Sequence, residues 1–108
     1  MPKTPLKKVQ KLVRDKIPAI IHNQNQTPIW RKMDEDEYKK ELIKKLFEEV
    51  CEFEADETAE ELADAWEVFI GLVVAFGFEM TQIEQIRLAK LDKNGGFQNK
   101  IFLEEILD

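Results

Sequence analysis

Three times along this chain a capping residue is followed three positions later by glutamate, each time at the head of a run with helical apolar spacing. The pairs are Asp34 with Glu37, Thr58 with Glu61, and Thr81 with Glu84. In this arrangement the first side chain accepts from the backbone N–H three residues on, and the glutamate reaches back to the free N–H of the cap. The pattern predicts helices over about residues 35–54, 57–76 and 82–93. Gly77 stands where a helix-ending glycine belongs, and Asn94-Gly95-Gly96 closes the third run. With only four glycines and four prolines in 108 residues, short connections between helices are expected, and the fold class is all-α.

The flanks are less regular. Residues 1–8 form a basic lead. "KLVRDKIPAII" (residues 11–21) predicts short helical turns limited by Pro18. "HNQNQTP" is polar loop, with His22 solvated, and "IWRKM" (residues 29–33) alternates like one short strand or an extended arm. The tail "FQNKIFLEEILD" carries five large aliphatic and aromatic residues beyond Phe97, so it is expected to dock on the body. No repeat or linker divides the chain, and residues 1–108 are expected to form one domain.

Charge and cysteine usage narrow the function classes. A net charge of −6 argues against a nucleic-acid polymer as partner. The longest uncharged apolar run, "VFIGLVVAFGF", is shorter than the roughly 20 residues a membrane span needs. The basic lead is followed by no apolar signal core. The single cysteine, Cys51, excludes an intrachain disulfide and suits a reducing cytoplasm. It is expected as a buried, inert thiol in mid-helix.

The predicted second helix is acidic in its first half and apolar nearly all round in its second. At about 100° per residue, Leu62, Trp66, Phe69, Ile70 and Val73 make one broad face. Trp66 is expected in the core. Asp64, Val68, Gly71 and Ala75 make a second, small-residue line. A helix with two such faces needs more cover than one hairpin provides, which predicts a homo-oligomer, dimer or tetramer.

Chemistry concentrates in "FEEVCEFEADETAEELAD" (residues 47–64), with nine carboxylates in eighteen residues. Glu49 and Glu52 are three apart on the first helix, and Glu61 and Asp64 three apart on the second, so each pair shares a face. A short connection makes the two helices antiparallel neighbours. Glu52 lies near the end of one and Glu61 near the start of the other, so all four can converge beside the turn. Glu49 sits at the rim of the stripe Leu42, Leu46, Val50, Phe53. Carboxylates held together require a counter-charge, and oxygen ligands on rigid helices suit a hard cation such as Mg²⁺. The competing reading is a solvated acidic face, in which Glu57, Glu60 and Glu61 complement the dipole of the second helix.

"EEVCE" (residues 48–52) followed by "ELAD" (residues 61–64) resembles the EExxE…ExxD signature of the all-α nucleoside triphosphate pyrophosphohydrolases. "KLVRDKIPAII" resembles the KLVRDKIPEII opening of a MazG-like branch, and "KNGGFQNKIFLEEI" its RGGF…IFLEE close. The resemblance implies a MazG-like antiparallel helical bundle completed by oligomerisation. It implies Mg²⁺-dependent (or Mn²⁺-dependent) release of pyrophosphate from a nucleotide substrate, leaving the monophosphate. It also implies Glu49, Glu52, Glu61 and Asp64 as metal ligands, with Glu48 or Glu49 as general base. The departures are a shorter Glu52–Glu61 connection, Asn94 in place of the arginine of RGGF, and "AWEVF" where phosphoribosyl-ATP pyrophosphohydrolases carry Tyr-His. The alternatives are phosphoribosyl-ATP pyrophosphohydrolase itself and a non-catalytic helical nucleotide-binding or regulatory module.

Further candidates surround these motifs. Lys90 and Lys93, before the Asn94-Gly95-Gly96 turn, either bind polyphosphate or satisfy helix carbonyls. Arg14 and Lys16 are candidates for phosphate contact, with Arg14 alternatively pairing with acids of the body. Trp30 either stacks on a base or simply packs.

Overall fold

The computed structural model describes residues 8–108; apart from Lys8, the basic lead lies outside the described residues. The described residues are all-helical, without strands. Their order is α1 (Ile17–Asn23), α2 (Glu35–Ala55), α3 (Ala59–Ala75) and α4 (Met80–Asn94). No described helix is long and apolar enough to cross a membrane.

Cap chemistry fixes two of the helix starts. Asp34 accepts from the N–H of Glu37 at 2.8 Å, and Thr58 from that of Glu61 at 3.4 Å. The third start differs from expectation. Helix α4 begins at Met80 behind Glu79, with no side-chain cap bond, so Thr81 lies inside the first turn. Gly77 and Gly95 follow the ends of α3 and α4 with φ of 76° and 83°. That left-handed backbone is nearly free of cost only for glycine. Pro18 occupies the first turn of α1, where its missing N–H costs nothing. Residues 29–33 form no strand; Arg31 anchors this irregular stretch through two bonds to Glu37, at 2.8 and 2.7 Å.

Helices α2 and α3 make the principal helix–helix interface. Their pairing is antiparallel. The Lys39 ammonium lies 5.2 Å from the Phe76 ring, Gly71 faces Leu42, and Glu49 meets Asp64. As position rises on α2 it falls on α3 by the same step. The turn between them, residues 56–58, is tied by Asp56 N–H to Glu52 and Thr58 N–H to Asp56.

The face that α3 turns to α2 is the small-residue line. A Cβ on Gly71 would come within 3.2 Å of Leu42 Cδ2, so glycine sets how closely the helices approach. Leu42, Val68 and Val73 are the buried apolar residues. Leu62, Trp66 and Phe69 stand open, Trp66 at 65% exposure, so Trp66 is not in the core of the chain. On α2 the seam runs nearer Glu49 than the wheel suggested, and Val50 is exposed. Cys51 is exposed as well, because it sits on the far side of α2 from Leu42.

The tail does not dock on its own chain. Residues 97–108 carry no regular secondary structure, and Phe97, Ile101, Phe102, Leu103, Ile106 and Leu107 are 70–96% exposed. Helix α4 has no buried residue and packs little against α2 or α3. The molecule therefore measures 73 × 31 × 26 Å, with a radius of gyration of 19.3 Å. A compact chain of this length has about 13 Å.

Candidate metal centre

One turn of α2 and the first turns of α3 meet at the closed end of the hairpin. There Glu49, Glu61 and Asp64 each offer one carboxylate oxygen, and these atoms lie within 4.8 Å of one another. Two features of the sequence produce this. The three-residue spacing aims Glu61 and Asp64 along the side of α3 that faces α2. The short turn brings that side level with Glu49.

Glu49 is more enclosed than Asp64, its side chain 12% exposed against 44%. Glu61 caps nothing. The N–H of Thr58 is bonded to the Asp56 carbonyl, leaving the Glu61 carboxylate to face the other acids. Its carboxyl is held above the ordinary carboxylate range, first by desolvation and then by the charges of Glu52, Asp64, Glu49 and Asp56. Glu52 thus belongs to the same electrostatic cluster, although its oxygen stands outside the triad. Glu48 lies beside it on α2.

Two cations edge the cluster. Lys45, its side chain only 17% exposed, places its ammonium 3.6 Å from Glu49 Oε1 and 3.9 Å from Glu48 Oε2. Arg14 donates to Asp64 Oδ1 at 2.7 Å, the body pairing weighed for it above. Lys45 was missed in the sequence, although its i+3 and i+4 spacing to Glu48 and Glu49 was there to find. Setting Glu49, Glu52, Glu61 and Asp64 against Lys45 and Arg14 leaves two negative charges uncompensated.

This donor set fits a hard divalent cation. It is all oxygen, half-buried, and carried on helices. Mn²⁺ accepts the same donors.

The other candidates stand apart. No hydrogen bond or ion pair joins Lys16, Trp30, Lys90, Lys93 or Asn94 to the carboxylates. Trp30, Lys90 and Lys93 are exposed, and Asn94 is the last residue of α4. Beside the triad a shallow groove of about 270 Å³ is lined by Arg14, Ala63, Trp66, Glu67 and Ile70. Its lining residues Ala63 and Glu67 lie one and three residues from Asp64 on α3.

No protein-family model matches the chain, and no solved structure matches it. Over 47 residues it is 47% identical to a protein of Mycolicibacterium smegmatis (strain ATCC 700084 / mc(2)155) described as "Uncharacterized protein". The matched stretch is 44% of this chain and 48% of that protein, so the chain spans about half the length of this relative.

Proposed function

We propose that the protein is a Mg²⁺-dependent nucleotide pyrophosphohydrolase of the MazG-like type, working as a homodimer or homotetramer. The observation that carries the reading is the meeting of Glu49, Glu61 and Asp64 oxygens within 4.8 Å across the α2–α3 hairpin. Its support in the sequence is the ordered resemblance described above.

Glu49, Glu61 and Asp64 would hold the cation, with Glu52 beside them. The bound ion supplies positive charge for the polyphosphate and Lewis acidity at a phosphoryl oxygen. Glu48 stands outside the triad, partly open and loosely paired with Lys45. It is the carboxylate left to take a proton from the attacking water. Water oxygen bonds to the α-phosphorus, the α–β anhydride bond breaks, and pyrophosphate leaves with the bond's electron pair. Arg14 sits between Asp64 and the groove, in reach of both the cation site and a phosphate entering there.

A second reading is a non-catalytic nucleotide-binding module. It draws on the Arg14–Asp64 pair, which occupies an oxygen of one ligand carboxylate. The two readings part in one assay. The protein is incubated with canonical and modified nucleoside triphosphates and MgCl₂, and pyrophosphate and monophosphate are measured. Turnover of at least one triphosphate, abolished by chelation, is expected. No turnover of any, with no Mg²⁺ heat in calorimetry, overturns the enzyme reading; nucleotide binding without turnover selects the module.

A further inference from the structure

The arm formed by α4 and residues 97–108 leaves its large apolar side chains exposed. Six large apolar side chains lie within eleven residues, all 70–96% exposed. Each has roughly 150–200 Å² to cover, which comes to roughly 900 Å² on one tail. Monomeric proteins seldom leave so large a contiguous apolar surface in water. The tail does not fold back on the hairpin: its large apolar side chains stay exposed, and α2 with α3 is the one extensive helix pair among the described residues.

The hairpin has a complementary deficit. Leu62, Trp66 and Phe69 form a ridge on the side of α3 that α2 does not reach, beside the groove at Trp66 and Ile70. One chain therefore holds an apolar ridge without a cover and an apolar arm without a seat. Resting on the self-association proposed above, we propose that two copies exchange arms. The tail of each lies across the Leu62–Trp66–Phe69 ridge of the other, a reciprocal two-fold arrangement.

The areas agree with a stable pair. Two tails seated on two ridges, with matching area covered on each ridge, hide well above the roughly 1,600 Å² of a standard specific interface. Alternation in the tail supplies the rim. Glu104, Glu105 and Asp108 keep charge at the edge, while Ile101, Phe102, Ile106 and Leu107 provide the anchors.

Two measurements on the full chain test this. Sedimentation at about 10 µM should give at least twice the monomer mass for the natural chain. The variant Ile101→Asp, Phe102→Asp, Ile106→Asp should sediment as monomer, with the helical circular dichroism of the hairpin retained. In a Cys51→Ser background, a chain with Phe102→Cys is mixed with a chain carrying Trp66→Cys under mild oxidation. Disulfide-linked heterodimers are expected. A single chain bearing both cysteines that closes only on itself overturns the exchange, and so does a tail variant that keeps the oligomeric mass. A monomeric natural chain overturns both the exchange and the self-association on which it rests, whereas an oligomer with an indifferent tail overturns the exchange alone.

Discussion

Glu61 shows how one side chain links charge to stability. Its carboxyl titrates above the ordinary carboxylate range because desolvation and neighbouring acids both oppose ionisation. The folded pKa lies above the unfolded one, so its stabilising contribution is full below the unfolded carboxylate range. It is lost as pH rises through the folded value. At neutral pH the ionised cluster therefore works against the hairpin, and a bound cation would offset this. Added MgCl₂ should raise the melting temperature at pH 7, with the gain shrinking as pH falls into the carboxylate range; thermal melts across pH check this. Glu61→Gln should raise the metal-free melting temperature while weakening Mg²⁺ binding at least about tenfold, read by calorimetry. Glu52→Gln and Asp64→Asn should each abolish Mg²⁺-dependent turnover with unchanged helicity. Near-normal activity in both would place the site elsewhere.

At the scale of the element, backbone chemistry can be separated from packing. No atom lies within 4 Å of a Cβ built on Gly77, yet its φ is 76°. Gly77→Ala should therefore cost about 1 kcal/mol from backbone strain alone, visible as a lower denaturant midpoint with unchanged slope. Leu42→Ala, at the buried centre of the α2–α3 interface, should cost about 2–5 kcal/mol. The hairpin's helix starts were legible because Asp34 and Thr58 act within one turn of themselves. Helix α4 was misread at its start because the Thr81–Glu84 spacing mimics a cap that the backbone at Glu79 makes unnecessary. Helical spacing at 100° per residue put Val73 with Leu62, Trp66 and Phe69, yet Val73 is buried while those three stand exposed, and the spacing could not say which face meets α2. Gly71 decided that, because a line of small residues permits the closer approach. The carboxylate spacing was likewise readable in the sequence. The pairing of Arg14 with Asp64 was not fixed by it, because fifty residues separate them and only the fold brings them together.

For the whole molecule, the length of 73 Å against a mean width of about 30 Å follows from an apolar arm that its own chain does not cover. The fold class was legible because helix signals are local. The posture of the tail was not, because its apolar content predicts burial without naming the chain that provides it. Stability should depend on protein concentration: the melting temperature should rise as the concentration is increased, as it does whenever folded chains bind one another. Differential scanning calorimetry over a hundredfold concentration range checks this. The compact part of the chain is a hairpin whose two helices are joined by three residues, so its contacts are close in sequence. Such contacts form fast, in microseconds to milliseconds. Refolding should then divide in time, with helical signal returning in an early phase indifferent to dilution. Shielding of Trp66 should follow in a later, second-order phase that slows in proportion as the protein is diluted.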